Sequence, residues 1–214
     1  MKKICTLILF LAVGITMASA QTFRLNAYTQ YIFRDRIDSY YDAYNYYDGR
    51  INDGFQWGIG MEVLAGDVRG LELKYINRQA TAPLNYYDNG IQNKIFDLGM
   101  NYIMLGANNY FPTGSIVEPF GGAAAGLAVI KIKNAGFSGD NTITKFAWSA
   151  KLGTNVWITP QLGLKLQVDL LSAVQSVGTG FYLGTGGSGV SVDAYSTMYQ
   201  WGLGGGLTFR LGKS

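Results

Sequence analysis

The clearest regularity in this chain is a two-residue period. Between Lys145 and Ile158 the residues Phe146, Trp148, Ala150, Leu152, Thr154, Val156 and Ile158 share one face of an extended chain. Lys145, Ala147, Ser149, Lys151, Gly153, Asn155 and Trp157 share the other. After the break at Thr159-Pro160-Gln161 the period resumes, with Leu162, Leu164, Leu166, Val168 and Leu170 opposed to Gly163, Lys165, Gln167 and Asp169. This pattern predicts two amphipathic strands joined by a tight turn. Each arm is about ten residues or more, where an ordinary strand has about five or six and a tilted strand crossing a bilayer needs about ten.

The same period recurs along the chain. Phe23 to Arg34 reads as a first strand, Phe55 to Val63 as a second and Leu71 to Arg78 as a third, the last two joined by the tight connection Ala65 to Gly70. A fourth strand sets Phe96, Leu98, Met100, Tyr102 and Met104 against Asp97, Gly99 and Asn101, with the greasy set expected to face outward. Asp35 to Asp53 and Gln79 to Asn93 read as long polar loops, and Gly106 to Glu118 as a connection of moderate length. Pro119 to Lys133 is a fifth strand by its Val-Ile-Lys-Ile-Lys ending, but too rich in Gly and Ala for its faces to be assigned. Strands six and seven are the hairpin above, between polar loops at 134–142 and 172–196. An eighth, Tyr199 to Leu211, sets Tyr199, Trp201, Leu203, Leu207, Phe209 and Leu211 against Gln200, Gly202, Gly204, Gly206, Thr208 and Arg210.

Composition narrows what such strands can build. Of 214 residues 48% are hydrophobic and only 14% charged, yet no window supplies the roughly 20 apolar residues of a transmembrane helix. Lys2 and Lys3, the apolar run Ile4 to Ile15 and the small-residue pattern Ala18-Ser19-Ala20 form a secretory signal. Residues 1–20 are therefore expected to be cleaved, leaving 21–214 as one barrel domain. Cys5 is the only cysteine and there is no histidine, so the exported chain has neither disulfide nor imidazole ligand. The 17 basic residues barely exceed the 14 acidic ones and form no stripe, which argues against nucleic acid as a partner.

Alternating short turns and long loops between eight such strands describe an all-β, eight-stranded antiparallel up-and-down transmembrane β-barrel. In lipid every backbone group needs a partner, so a sheet survives only when closed, with its apolar face outward. Trp57, Tyr75, Tyr102, Trp148, Tyr199, Trp201 and Phe209 then form interfacial girdles. The opposite face carries charges of both signs, Arg24, Glu62, Glu72, Lys74, Arg78, Asp97, Lys151, Lys165, Asp169 and Arg210, expected to pair across a lumen that side chains fill. Glu62 and Glu72 lie on adjacent strands and are expected to cluster with Lys74 and Arg78.

The export signal, these strands, the Pro119-Phe120-Gly121-Gly122 opening of strand five and the closing Gly206-Leu207-Thr208-Phe209-Arg210-Leu211 resemble the small outer-membrane β-barrel domain family, in outline the OmpA/OmpX-like eight-stranded barrels. The resemblance implies the outer membrane of a Gram-negative-type bacterium and a surrounding of outer-membrane lipid; a peptidoglycan anchor is not implied.

Without histidine, the general base expected of barrel hydrolases is missing, and the expectation is a non-enzyme without cofactor. The role expected is structural or partner-binding, with long loops at the cell surface. A narrow pore or small-solute transporter and an accessory barrel of a secretion or surface-assembly complex are the alternatives. The segment Gly184 to Gly189 lacks the lysine of a phosphate loop. Asn45-Tyr46-Tyr47-Asp48-Gly49 recurs as Asn85-Tyr86-Tyr87-Asp88-Asn89-Gly90, which makes Tyr46, Tyr47, Tyr86 and Tyr87 candidates for holding a surface glycan or protein. Tyr40, Tyr41 and Tyr44 add to the first copy, and Asp38, Asp42 and Asp48 offer oxygens to calcium without the spacing of a dedicated site. The competing reading is local: Asp48-Gly49 and Asp88-Asn89-Gly90 are hairpin turn signals.

Overall fold

Ten antiparallel strands make up the computed structural model, which describes residues 22–42, 45–66, 68–87, 91–133, 141–174 and 198–211. The export signal, the 184–189 segment and the Asp88-Asn89-Gly90 turn lie outside the described residues. The strands are β1 (Thr22–Ile32), β2 (Asp35–Asp42), β3 (Asn45–Ile51), β4 (Gly54–Ala65), β5 (Arg69–Tyr87), β6 (Ile91–Tyr110), β7 (Val117–Lys133), β8 (Asn141–Trp157), β9 (Leu162–Val174) and β10 (Met198–Leu211). Each of the eight strands β1 and β4 to β10 pairs with the next, and β10 returns to β1, from Phe23 opposite Leu211 to Ile32 opposite Gly202. The sheet is thus a closed eight-stranded barrel.

Closure fixes the two faces. On β1, Arg24, Asn26, Tyr28 and Gln30 are buried while Leu25 is exposed; on β8, Lys151 and Asn155 are buried while Leu152 is 72% exposed. Leu164 and Leu203 are exposed on the outer face, and Trp148 meets Tyr199 edge to face there at 6.3 Å. A soluble fold would not leave Phe55, Ile59, Met61, Leu71, Leu105 and Leu207 all exposed; in lipid the same surface is satisfied.

The turns at one end are short. Gly66, at φ 65°, turns β4 into β5, and Gly114, at φ 72°, lies in the 111–116 link from β6 to β7, both in the left-handed region where a side chain is strained. Thr159 organises the third turn: its Oγ1 accepts from the Leu162 amide at 2.9 Å.

Three expectations are corrected here. The segments 35–53 and 79–93 are mostly strand, because a polar residue facing out is no liability once the ladder leaves the lipid and the backbone still needs partners. β2 and β3 form a hairpin, and β5 and β6 stay paired from Arg69 opposite Asn109 to Tyr87 opposite Ile91. Asp48-Gly49 therefore lies within β3 and is no turn. Gly106 to Glu118 shrinks to the six residues 111–116, with the rest absorbed into β6 and β7. The faces of strand four are reversed: Phe96, Leu98, Met100, Tyr102 and Met104 are buried, Ile103 and Leu105 exposed. Register forces this, since Lys74 opposite Met104 and Glu72 opposite Gly106 put the even residues of β6 inside. Tyr102 is consequently not a girdle residue. On β7, whose faces the pattern left open, Glu118, Phe120, Ala124, Ala128, Ile130 and Ile132 are buried and Leu127 exposed.

Candidate functional site: the closed lumen and the ribbon above it

The short-turn end of the lumen is held by one carboxylate. Arg24 donates two parallel hydrogen bonds to Glu118, 2.9 and 3.0 Å, and Asn155 adds a third at 2.8 Å. This fork matches the planar guanidinium to the carboxylate and is stronger than a single charged contact. Arg210 approaches the same carboxylate at 3.7 Å while stacking 4.2 Å over the Trp157 ring, and Arg24 lies 4.3 Å over Tyr110. Leu64, Tyr110 and Phe120 pack together as an apolar cluster.

Glu62 and Glu72, directly opposed on β4 and β5, are at most 1% exposed. Glu62 accepts from Asn108 at 2.6 Å and from Tyr110 at 2.7 and 2.8 Å. Glu72 accepts from Tyr28, from Asn26 at 2.8 Å and from Lys151 at 2.6 Å, the last an ion pair across the lumen. The expected cluster with Lys74 and Arg78 is corrected. Lys74 donates to Ser149 at 3.0 Å, and Arg78 donates to Gln200 and to the Asn52 carbonyl, each at 2.8 Å. Strand tilt carries these long side chains across the barrel to strands that the linear sequence keeps far apart. Asp169 accepts from Gln30 and, at 2.6 Å, from Gln167. Lys165, fully buried, holds its ammonium 4.4 Å from the Phe120 ring centroid.

Thus Arg24, Glu62, Glu72, Lys74, Arg78, Lys151, Lys165, Asp169 and Arg210 all face the lumen. Asp97 does not: it sits on the outer face of β6, opposite Lys133, because the even residues of that strand occupy the inside. The sequence reading missed Glu118, Asn108 and Tyr110, which lay in the segment read as a connection; their parity with Phe120 and Met104 was the available signal.

Farther up, the lumen turns largely apolar, with Arg78, Lys145 and Gln200 also buried there. Ile76, Phe96, Leu98, Met100, Tyr102, Met104, Ala128, Ile130, Ile132 and Leu171 pack into one cluster in the long-loop half. Between the two layers a cavity of about 10 Å³, lined by Lys74, Lys151, Gln167 and Asp169 among others, has room for about one water. The space beside the lumen-side glycines Gly204 and Gly202 is taken up by neighbours, since a Cβ on Gly204 would meet Gln30 and one on Gly202 would meet Ile32 at 2.6 Å. Glu62 and Glu72 are buried and spend their oxygens on donors from β1, β6 and β8, which ties these strands together. Among the described residues no three acidic, histidine or cysteine side chains gather as a metal site.

At the long-loop rim Tyr31 donates to Asp53, and Arg34 lies 3.7 Å from the same carboxylate. The tyrosine hydrogen bond first, and the guanidinium after it, hold the Asp53 carboxyl below its usual range. Above this rim β3 continues the wall on β5, with Tyr47 opposite Tyr86, Asp48 opposite Asn85 and Gly49 opposite Leu84. The two copies of the recurrent tyrosine segment therefore pair with each other. Register separates the four candidate tyrosines: Tyr47 and Tyr86 share one face with Tyr40, whereas Tyr46, opposite Tyr41, and Tyr87, opposite Ile91, take the other face of their strands. Asp38, Asp42 and Asp48 lie in this ribbon, and their side chains fall outside the described residues.

No family model and no curated protein matches the chain by sequence. Solved structures do. The outer membrane protein OprG from Pseudomonas aeruginosa superposes with a TM-score of 0.58 at 13% identity, over 91% of this chain and 97% of that one. Neisserial surface protein A gives 0.52 at 14%, over 89% and 96%. The outer membrane protein AlkL, determined in lipid bilayers, gives 0.51 at 9%, over 90% and 91%. The chain has the fold of the small outer-membrane barrels.

Proposed function

We propose that this chain is an integral outer-membrane barrel, exported with its first 20 residues removed, whose lumen is sealed and whose work is done by the ribbon it raises above the membrane. It acts as a non-enzymatic scaffold for a surface partner. The observation that carries this reading is the filling of the lumen. A salt-bridged layer and an apolar layer lie in series, and the cavity between them takes about one water. An ion crossing this interior would have to part Lys151 from Glu72 and Arg24 from Glu118, and then pass a largely apolar layer in which Arg78 and Gln200 are already bonded to each other.

The strands speak for a raised binding surface in their turn. β5 and β6 run 19 and 20 residues where β4 and β10 run 12 and 14, so the wall is tallest where the tyrosine segments sit. The test is single-channel recording of the purified protein in planar bilayers. A silent membrane at protein densities where a porin gives steps supports the sealed barrel; stable large steps would replace it with the narrow-pore reading.

A further inference from the structure

The topology places tyrosines on neighbouring strands in a way the linear sequence does not disclose. Tyr40 on β2 is opposite Tyr47 on β3, and Tyr47 is opposite Tyr86 on β5, so three consecutive strands carry tyrosine in one transverse row; β6 continues the row with Gln92. Directly opposed residues share a sheet face. Tyr86 has the parity of Arg78 and Ala82, both buried on the lumen side, so the row belongs to the face of the ribbon that continues the lumen wall. The row beside it is Ile37, Gly49 and Leu84, two apolar residues flanking one without a side chain.

The spacing of such a row is set by the backbone. Neighbouring strands lie about 4.8 Å apart. That is close to the length of one pyranose unit in an extended β-linked glycan, so a row of three tyrosines has the repeat of three successive sugars. Tyrosine rings combine a flat apolar face with a hydroxyl, at low cost in ordering, and suit the weakly polar faces of sugars. Charge selects among glycans. The hairpin 35–53 carries Asp35, Asp38, Asp42, Asp48 and Asp53 against Arg36 and Arg50, an acidic balance that disfavours sulfated or uronic chains.

Resting on the proposed role of the ribbon as the working surface, we propose that the Tyr40–Tyr47–Tyr86 row is a binding site for a neutral, extended glycan chain lying across the strands at the mouth of the barrel. Gln92, at the end of the row, is the polar residue placed to recognise a sugar hydroxyl.

The test uses the full-length barrel in nanodiscs with three hexasaccharide probes, cellohexaose, chitohexaose and a hyaluronan hexasaccharide, read by saturation-transfer NMR and affinity electrophoresis. The wild type binds one or both neutral probes, and the anionic one at least tenfold more weakly. Tyr40→Ser, Tyr47→Ser and Tyr86→Ser combined lower neutral binding at least tenfold. Tyr41→Ser with Tyr46→Ser, on the opposite face, changes it less than about twofold. Heat-resistant gel mobility confirms that each variant is still a barrel, and the single Tyr47→Phe, which keeps the ring, retains binding. Absence of neutral binding in the wild type, preference for hyaluronan, or equal loss in the two serine variants overturns the site. None of these results alters the sealed-lumen reading, which conductance decides separately.

Discussion

The two halves of the lumen solve one problem by opposite means. Near the short turns the interior is ionic: Arg24, Glu62, Glu72, Glu118 and Lys151 are buried and each meets a partner of opposite charge or a hydrogen-bond donor. Near the long loops apolar side chains dominate, Met100, Tyr102, Met104, Ile130 and Leu171, with the buried Arg78 opposite Met100 and bonded to Gln200. An ionic layer is specific and unforgiving, because removing one member strands another charge in a low-dielectric space. An apolar layer tolerates changes that keep its volume. The first layer thus fixes which strands meet, and the second fills what they enclose.

The severest way to break this contrast is Glu72→Ala. It leaves Lys151 uncompensated and Tyr28 and Asn26 without their acceptor, and is expected to cost about 3–5 kcal/mol, measured by urea unfolding in lipid vesicles. In the apolar layer Met100→Ala opens a void and is expected to cost about 2–5 kcal/mol, whereas Met100→Leu costs less than about 1.5 kcal/mol. A loss on Met100→Leu as large as that on Glu72→Ala would remove the distinction between the layers. On the lipid side, Leu164→Arg is expected to cost about 2–4 kcal/mol, and a spin label at 164 to sit in lipid while one at 165 does not. The smallest effect is at the rim. The depressed Asp53 carboxyl contributes stability above the unfolded value near 3.8, and the contribution disappears as pH falls through its lower folded value. Tyr31→Phe should lower stability slightly at neutral pH, flatten that acid limb, and change nothing once Asp53 is protonated in both states.

How much of this was legible depended on what each strand faces. Where one face meets lipid and the other meets charge, as on β8 and β9, alternation alone places Leu164 outside and Lys165 inside. β6 defeats that logic because both faces change character partway along. Asp97 and Asn101 face outward toward the long-loop rim, while Phe96 and Met100 face a largely apolar interior, so the pattern alone assigns the greasy set to lipid. Only the register with β5 resolves it, and register is a property of two strands. Glu118 escaped for a related reason: glycines and alanines after it hide the period that would have put it in phase with Phe120. The pairing of Tyr47 with Tyr86 is nonlocal and could not be read from either copy alone.

The seam between β1 and β10 has a consequence for how the chain must assemble. Its partners come from opposite ends of the sequence, Phe23 beside Leu211, so this ladder closes the longest loop in the molecule and contributes nothing until the other strands are in order. Until then two strand edges stand open, the state most prone to pair with a neighbouring chain. Glycines make the final approach tight: a Cβ on Gly206 would collide with the Ala27 carbonyl and one on Gly204 with that of Thr29. The last event of assembly is therefore a contact of backbone on backbone, in which few side chains wait to be sorted, and a bulkier residue at either glycine would have to displace backbone and so weaken the finished wall more than it delayed closure.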